Sequence, residues 1–412
     1  MTKRLLLVAF HFPPLQGSSG IHRTLSLARY LPRDGWEVTV LTVSPYAYRN
    51  IRQENLSLIP QDTHVIRVPA FDTARRLSVG GWHPGFLAFP DNFQSWIASA
   101  VPAGIINCRK HRPDIIFSTF PVASAHYIAW ILSKIMKVPW VADFRDPMAQ
   151  DAYPKNARKR RQFHQLERRF VHGARRVFVT TEGTQRLYRN RYQDLDARRF
   201  CVVPNGYDES MFRAHADRPA VRQKKGTTIL HSGALYQNER DPSCLFAALA
   251  ELKQEDPGLL TDVHIMFRGT RYVDYFKNLA AQHDLSSLVE FGDFVPYETA
   301  VSEMMSADAL LLLQASNCND QVPAKVYEYT RSGRPVIALT DPVGDTARLL
   351  TSCGISNIAR LNETQSVKSL LKDFFRGNNE GLMVAPEIDV QQFSRKRIAT
   401  DVARIFAQIG DQ

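Results

Sequence analysis

Short apolar runs alternating with helical periods, twice over, constrain this chain more than any other feature. Arg4–Phe10 is a continuous apolar run, Ile21–Leu31 has helical spacing, and Trp36–Val43 is again rich in β-formers. Further strands are expected over Val65–Val68, Asp114–Ser118, Val138–Ala142, Arg176–Thr180 and Phe200–Val203. Between them lie helical patterns over Phe93–Arg109, Val122–Met136 and Asn156–His172. Buried strands joined by helices of this length pair in parallel, with both sheet faces covered.

The pattern lapses into polar residues between Phe212 and Thr227 and then restarts. Strands are expected over Thr228–His231, Val263–Arg268, Val289–Phe291, Ala309–Leu313 and Val336–Leu339. Helices are expected over Ser243–Lys253, Tyr272–His283 and Val390–Ile409, the last with Phe393, Ile398, Val402, Ile405, Phe406 and Ile409 at nearly helical spacing. A chain of 412 residues exceeds one ordinary core. The reading is therefore an α/β protein of two Rossmann-like domains: residues 1–213, a linker over 214–226, and residues 227–388, followed by a terminal helix over 389–412.

Bulk properties exclude several classes. Hydrophobic residues make up 44% and charged residues 23%, the balance of a globular protein. The apolar run after Lys3 and Arg4 ends at His11-Phe12-Pro13, too short for a span and without a small-residue cleavage site. The five cysteines (Cys108, Cys201, Cys244, Cys318, Cys353) form no C-x-x-C pair, which fits a reducing cytoplasm and neither a disulfide framework nor a zinc site. Residues 1–213 hold 31 Lys and Arg against 16 Asp and Glu, a net of +15; the remainder holds 21 against 25, a net of −4. The first half is thus suited to an anionic partner such as a membrane surface, a pyrophosphate-linked lipid or a nucleic acid.

Ligands of doubly wound sheets sit at the carboxyl ends of strands. The first strand leads into Pro13-Pro14-Leu15-Gln16-Gly17-Ser18-Ser19-Gly20, whose glycines permit close approach to an anion at a helix start, or serve only as a turn. Asp143-Phe144-Arg145-Asp146 follows another buried strand, as active-site charges or as a self-satisfied cluster. Pro204-Asn205-Gly206 is adequately explained as a tight turn. Strand, Gly233 and loop then recur ahead of Arg240-Asp241-Pro242, where Arg240 can meet a phosphate or pair with Asp241. Lys325 and Glu328 lie three residues apart on one short helix stopped by Gly333 and Pro335, so they share a face. A lysine suits a pyrophosphate and a carboxylate suits ribose hydroxyls, although an exposed i,i+3 ion pair would look the same.

Six pieces in this order resemble family 4 retaining glycosyltransferases of GT-B fold, over essentially the whole chain. They are the Pro13-Pro14…Gly17…Gly20 segment, Gly35-Trp36-Glu37-Val38, Val203-Pro204-Asn205-Gly206-Tyr207-Asp208, the Gly233 loop, Phe291-Gly292-Asp293-Phe294-Val295-Pro296, and Lys325-Val326-Tyr327-Glu328 with Ser332-Gly333-Arg334-Pro335. Asp143-Phe144-Arg145-Asp146 and Arg240-Asp241-Pro242 resemble a subgroup of that family. The resemblance implies two domains facing across a cleft, with the terminal helix packing back toward the first. It implies a nucleotide-sugar substrate, no cofactor and no metal.

Arg240 and Lys325 would hold the pyrophosphate, Glu328 the ribose, backbone at Phe294 and Val295 the base, and Gly17, Gly20 and Gly233 close approaches to the donor. Asp320 stands where the family has the first of two paired glutamates, and Arg145 where many members have a histidine. Both are counted as catalytic with Arg240 and Lys325, and Arg23, His126, Asp143 and Asp146 are expected on the acceptor side. A glycan or polyprenyl-linked acceptor and a role in bacterial cell-surface polysaccharide synthesis are implied. The nine basic residues from Lys155 to Arg176, with Phe163, Leu166 and Phe170, and the aromatic segment Gly81–Phe93 could dock a cytoplasmic protein on an anionic leaflet. Alternatives are a GT-B nucleotide-sugar epimerase, which needs no acceptor, and a non-catalytic basic scaffold for nucleic acid, although no nucleic-acid module is present.

Overall fold

The computed structural model describes residues 2–410 except 19, 77, 79, 81, 151–155 and 217–225. The chain forms two compact units, one of residues Met1–Asn205 with Arg395–Gln412 and one of Gly206–Ser394. Each is built on a parallel sheet of apolar strands, as the alternation requires.

In the first unit the strands are β1 (Lys3–Ala9), β2 (Trp36–Val43), β3 (His64–Val68), β4 (Ile115–Thr119), β5 (Trp140–Arg145), β6 (Arg176–Val179) and β7 (Phe200–Val202), in the order β3-β2-β1-β4-β5-β6-β7. The second unit contains β8 (Thr227–Ser232), β9 (Val263–Arg268), β10 (Val289–Gly292), β11 (Ala309–Leu313), β12 (Val336–Leu339) and β13 (Ile358–Ala359), ordered β10-β9-β8-β11-β12-β13. Both orders reverse direction beside the first strand of the unit, the switch point at which doubly wound folds bind ligands.

The units divide after Asn205, earlier than the expected residue 213. Tyr207 and Phe212 explain the difference, because both are fully buried in a cluster with Leu310, Leu312 and Tyr329 of the second unit. Helix Glu209–Ala216 occupies the start of the expected linker, and residues 217–225 lie outside the described residues. The terminal helix begins at Arg395, not Val390; Val390–Phe393 is a separate 3-10 turn capped by the Asp389 side chain. Its apolar stripe is core of the first unit. Phe406 is fully buried, edge-on to Trp36 and Phe117 and stacked 6.1 Å from Phe178.

His126 corrects an expectation. It was expected on the acceptor side, but it is fully buried in the first unit. Its Nδ1 lies 2.8 Å from the Ser118 hydroxyl, which accepts from the Trp140 indole, and Phe144 and Phe170 pack edge-on against the ring. Burial lowers its pKa from 6.5 to about 3, against the opposing pull of Asp143. A neutral histidine that would charge on unfolding stabilises the fold above pH 6.5, and that contribution is lost as pH falls toward 3. About 2 kcal/mol should disappear from this residue between pH 7 and pH 5. Urea unfolding at both pH values should therefore give a smaller pH difference for His126→Leu than for the wild type; equal differences would refute the assignment.

Candidate functional site

The second unit gathers four of the expected donor residues around the end of β8. Gly233 follows that strand with φ +131°, a conformation side chains rarely adopt, and its N–H donates to Arg268 O at 2.8 Å. A Cβ there would sit 2.7 Å from Lys325 Nζ, so the glycine makes room for the ammonium. Lys325 and Glu328 lie on helix Ala324–Ser332, which begins after Pro323 and ends at left-handed Gly333. Val326, Tyr327, Tyr329 and Thr330 bury the helix's other positions. The Tyr329 hydroxyl accepts from Ser232 N at 3.0 Å, fastening the helix to the end of β8.

The charges are unbalanced toward positive. Burial, and then nearby Arg240, push Lys325 well below the ordinary lysine range, with Glu328 opposing. Arg240 donates to Ala234 O at 3.2 Å and stacks its guanidinium on Tyr236. Glu328 is 8% exposed, and its Oε1 accepts from the Tyr297 hydroxyl at 2.8 Å, which fixes the plane of the carboxylate. An anion with hydroxyl donors beside it fits this set. Phe294 is 62% exposed with its ring against Gly269, and Val295 is half-buried. Asp320 is exposed on the turn leading toward the helix. A cavity of about 140 Å³ lies elsewhere, between β8, β9 and helix Tyr297–Ser306, and none of the expected residues lines it.

Two contributors escaped the sequence. His231 lies at the buried end of β8, with Nδ1 2.9 Å from Leu311 O and Nε2 3.2 Å from Lys325 Nζ. A polar residue inside Thr-Ile-Leu-His-Ser-Gly was the available signal. Tyr297 had none, being distant in sequence from Glu328.

The first unit assembles a second group at the ends of β1 and β5. Arg145 ends β5 with φ +61° where the β5–β6 register shifts. A Cβ on Gly20 would lie 2.9 Å from Arg145 Nη1 and 2.7 Å from His11 Nδ1, so this glycine is also a close approach. Burial and then Arg145 lower His11 to about 4. Ser18 Oγ lies 3.3 Å from His11 Nδ1 and accepts from Gly20 N. Gly17 turns the chain with φ +79°, and Asp146 is exposed beside Arg145.

Arg23 and Asp143 do not join this surface. Arg23 Nε and Nη2 each donate to Asp143 at 2.7 Å, Thr119 adds a bond to the same carboxylate, and Arg23 Nη1 donates to Pro204 O. Asp143 is fully buried, so the pair is an internal tie and not the acceptor contact expected.

Residues 19–206 match the profile of the glycosyl transferase 4-like domain. No curated protein matches by sequence. Sucrose-phosphate synthase from Thermosynechococcus elongatus superposes with a TM-score of 0.65 at 15% identity, covering 99% of each chain. HepE of Anabaena in complex with UDP-glucose gives 0.65 at 17% identity, covering 98% of this chain and 99% of its own. The UDP-GlcNAc 2-epimerase from Neisseria meningitidis bound to UDP-GlcNAc gives 0.57 at 11%, covering 98% and 100%. At such identities the likeness is one of fold. The chain thus has the GT-B fold, and its residues 19–206 resemble the glycosyl transferase 4-like domain.

Proposed function

We propose that this protein is a retaining glycosyltransferase that moves a hexose from a uridine diphosphate sugar to a glycan or polyprenyl-linked acceptor, in bacterial cell-surface polysaccharide synthesis. The carrying observation is the pair of cations, Lys325 and Arg240, gathered at the Gly233 turn with the oriented carboxylate of Glu328 on the same helix. Uridine is favoured because HepE and the epimerase are described with UDP-linked ligands.

In this reading the bond from the anomeric carbon to the diphosphate breaks, and its electron pair leaves on the diphosphate. Lys325 and Arg240 stabilise that charge, the role a divalent metal has in other transferases. The acceptor hydroxyl attacks from the same face and gives its proton to the departing phosphate oxygen. Glu328 holds the ribose, Phe294 and Val295 flank the base, and Asp320 serves the sugar hydroxyls. Gly17 and Gly20 keep the donor-side role the resemblance implies, Arg145 that of a catalytic cation, and Asp146 serves the acceptor.

Binding follows from the electrostatics. A ligand bound only by the folded state at a hundredfold excess over its Kd adds about 2.7 kcal/mol of stability. UDP should raise the melting temperature more than GDP, ADP, CDP or dTDP, and Lys325→Ala and Glu328→Ala should lose the effect. No stabilisation by any diphosphate would refute the donor site. Release of a sugar product only when acceptor is present separates transfer from epimerisation.

A diphosphate beside Lys325 must also restore its proton affinity. Between the lowered value of the empty site and the ordinary lysine value, binding should take up protons. Calorimetry in buffers of different ionisation enthalpy would detect this uptake in the wild type. Lys325→Arg, permanently charged, should bind with less uptake; equal uptake would assign the proton elsewhere.

Membrane association is the second part of the proposal. Leu166 and Phe170 are core, so the apolar stripe of helix Ala157–Gly173 is not available to lipid. Its outer face carries exposed Arg158, Lys159, Arg161, Arg168 and Arg169, and Trp82 elsewhere in the unit is 72% exposed. A charged face alone gives salt-sensitive adsorption. Sedimentation with anionic liposomes at low salt should be lost at high salt and on reversing Arg158, Arg161 and Arg168 to Glu; no sedimentation at low salt would end the idea.

A further inference from the structure

We infer that His231 is the positioning residue for Lys325: a buried, uncharged acceptor that holds the ammonium at the Gly233 turn without neutralising it. The inference rests on the donor-site reading for its functional meaning, and on the interior of the second unit for its geometry. β8 pairs with β11 through Ile229 and Leu230, at Ala309 and Leu310. At the next residue the His231 ring takes over, donating Nδ1–H to Leu311 O at 2.9 Å. That bond fixes the tautomer, because a ring buried here stays neutral and has one N–H to give. Nε2 therefore carries a lone pair, and it lies 3.2 Å from Lys325 Nζ.

The chemistry of the acceptor matters. A carboxylate in this place would pair with Lys325 and compete with a diphosphate for its charge. An aliphatic side chain would leave the long lysine stem free to change rotamer and one ammonium hydrogen without a buried acceptor. The imidazole instead removes rotational freedom and, when Lys325 carries its proton, leaves that charge and two N–H donors for the ligand. Phe267, 5.7 Å from the ring, and the Leu311 bond hold the imidazole in turn. The other charged groups facing Lys325 are Arg240, which disfavours its proton, and Glu328, which favours it.

Two readouts on the full chain separate this role from a merely structural one. UDP affinity by calorimetry should fall about tenfold to a hundredfold in His231→Leu, the range for a hydrogen bond to a charged group. His231→Gln, whose amide oxygen can still accept, should recover a large part of it. Independently of any ligand, lysines labelled at Cε report the Lys325 titration by NMR, with Lys325→Arg identifying the resonance. His231→Leu should move that titration downward and broaden the signal, and His231→Gln should move it back. An unchanged Lys325 titration in a folded His231→Leu protein overturns the inference whatever UDP does. A changed titration in a protein that binds no diphosphate would uphold the positioning and sink the donor site instead.

Discussion

Lys325 is the constraint around which the second unit is arranged. A half-buried lysine needs acceptors for its N–H groups, and a close carboxylate would neutralise its charge. The chain resolves the conflict with a neutral ring below, a glycine without a side chain beside it, and a carboxylate on the same helix already engaged by Tyr297. The helix that carries Lys325 is fixed to the sheet by Tyr329, and the turn that receives it is fixed to β9 through Gly233 N–H. Gly233 is thereby required as glycine, both by its φ of +131° and by the closeness of Lys325 Nζ.

The first unit meets a related difficulty with a different device. Arg23 and Asp143 are both nearly excluded from solvent, and their two parallel bonds leave little of either charge uncompensated. Removing one partner from such a pair typically costs about 3–5 kcal/mol, because the other remains buried alone. The pair joins the first helix to the end of β5, and through Pro204 O to the chain just before it leaves the unit. Glu167 has a similar role nearby, accepting from Ala149 N, Tyr188, Tyr192 and Arg191, so the loop after Arg145 is anchored from within. The Asp-Phe-Arg-Asp segment thus divides its labour: Asp143 and Phe144 are fully buried structure, Arg145 is half-buried with its guanidinium beside Gly20, and Asp146 is exposed.

Fold was legible because strand burial and helical spacing are local properties of a sequence. Lys325 and Glu328 were legible for the same reason, since three residues on a helix fix a shared edge. His231 and Tyr297 were not, because they act on those two residues across 94 and 31 positions of chain. His126 and Asp143 misled in the opposite sense: polar residues near strand ends were read as surface chemistry, and tertiary burial made them core. The division between units was placed late because Tyr207 and Phe212 follow a turn that reads as an ending, and only their burial shows which core they complete.

The second unit leaves and rejoins the first within a narrow span. Tyr207 N donates to Phe393 O, and Tyr207 pairs with Ser394 in a parallel bridge, so the two ends of a long insertion are clasped together. The first unit then needs Phe406 from the far side of that insertion to fill the space among Trp36, Phe117 and Phe178. During synthesis, the unit whose residues begin to appear first is consequently the unit whose residues are completed last. Its core lacks Phe406 until the whole of its neighbour has been synthesised.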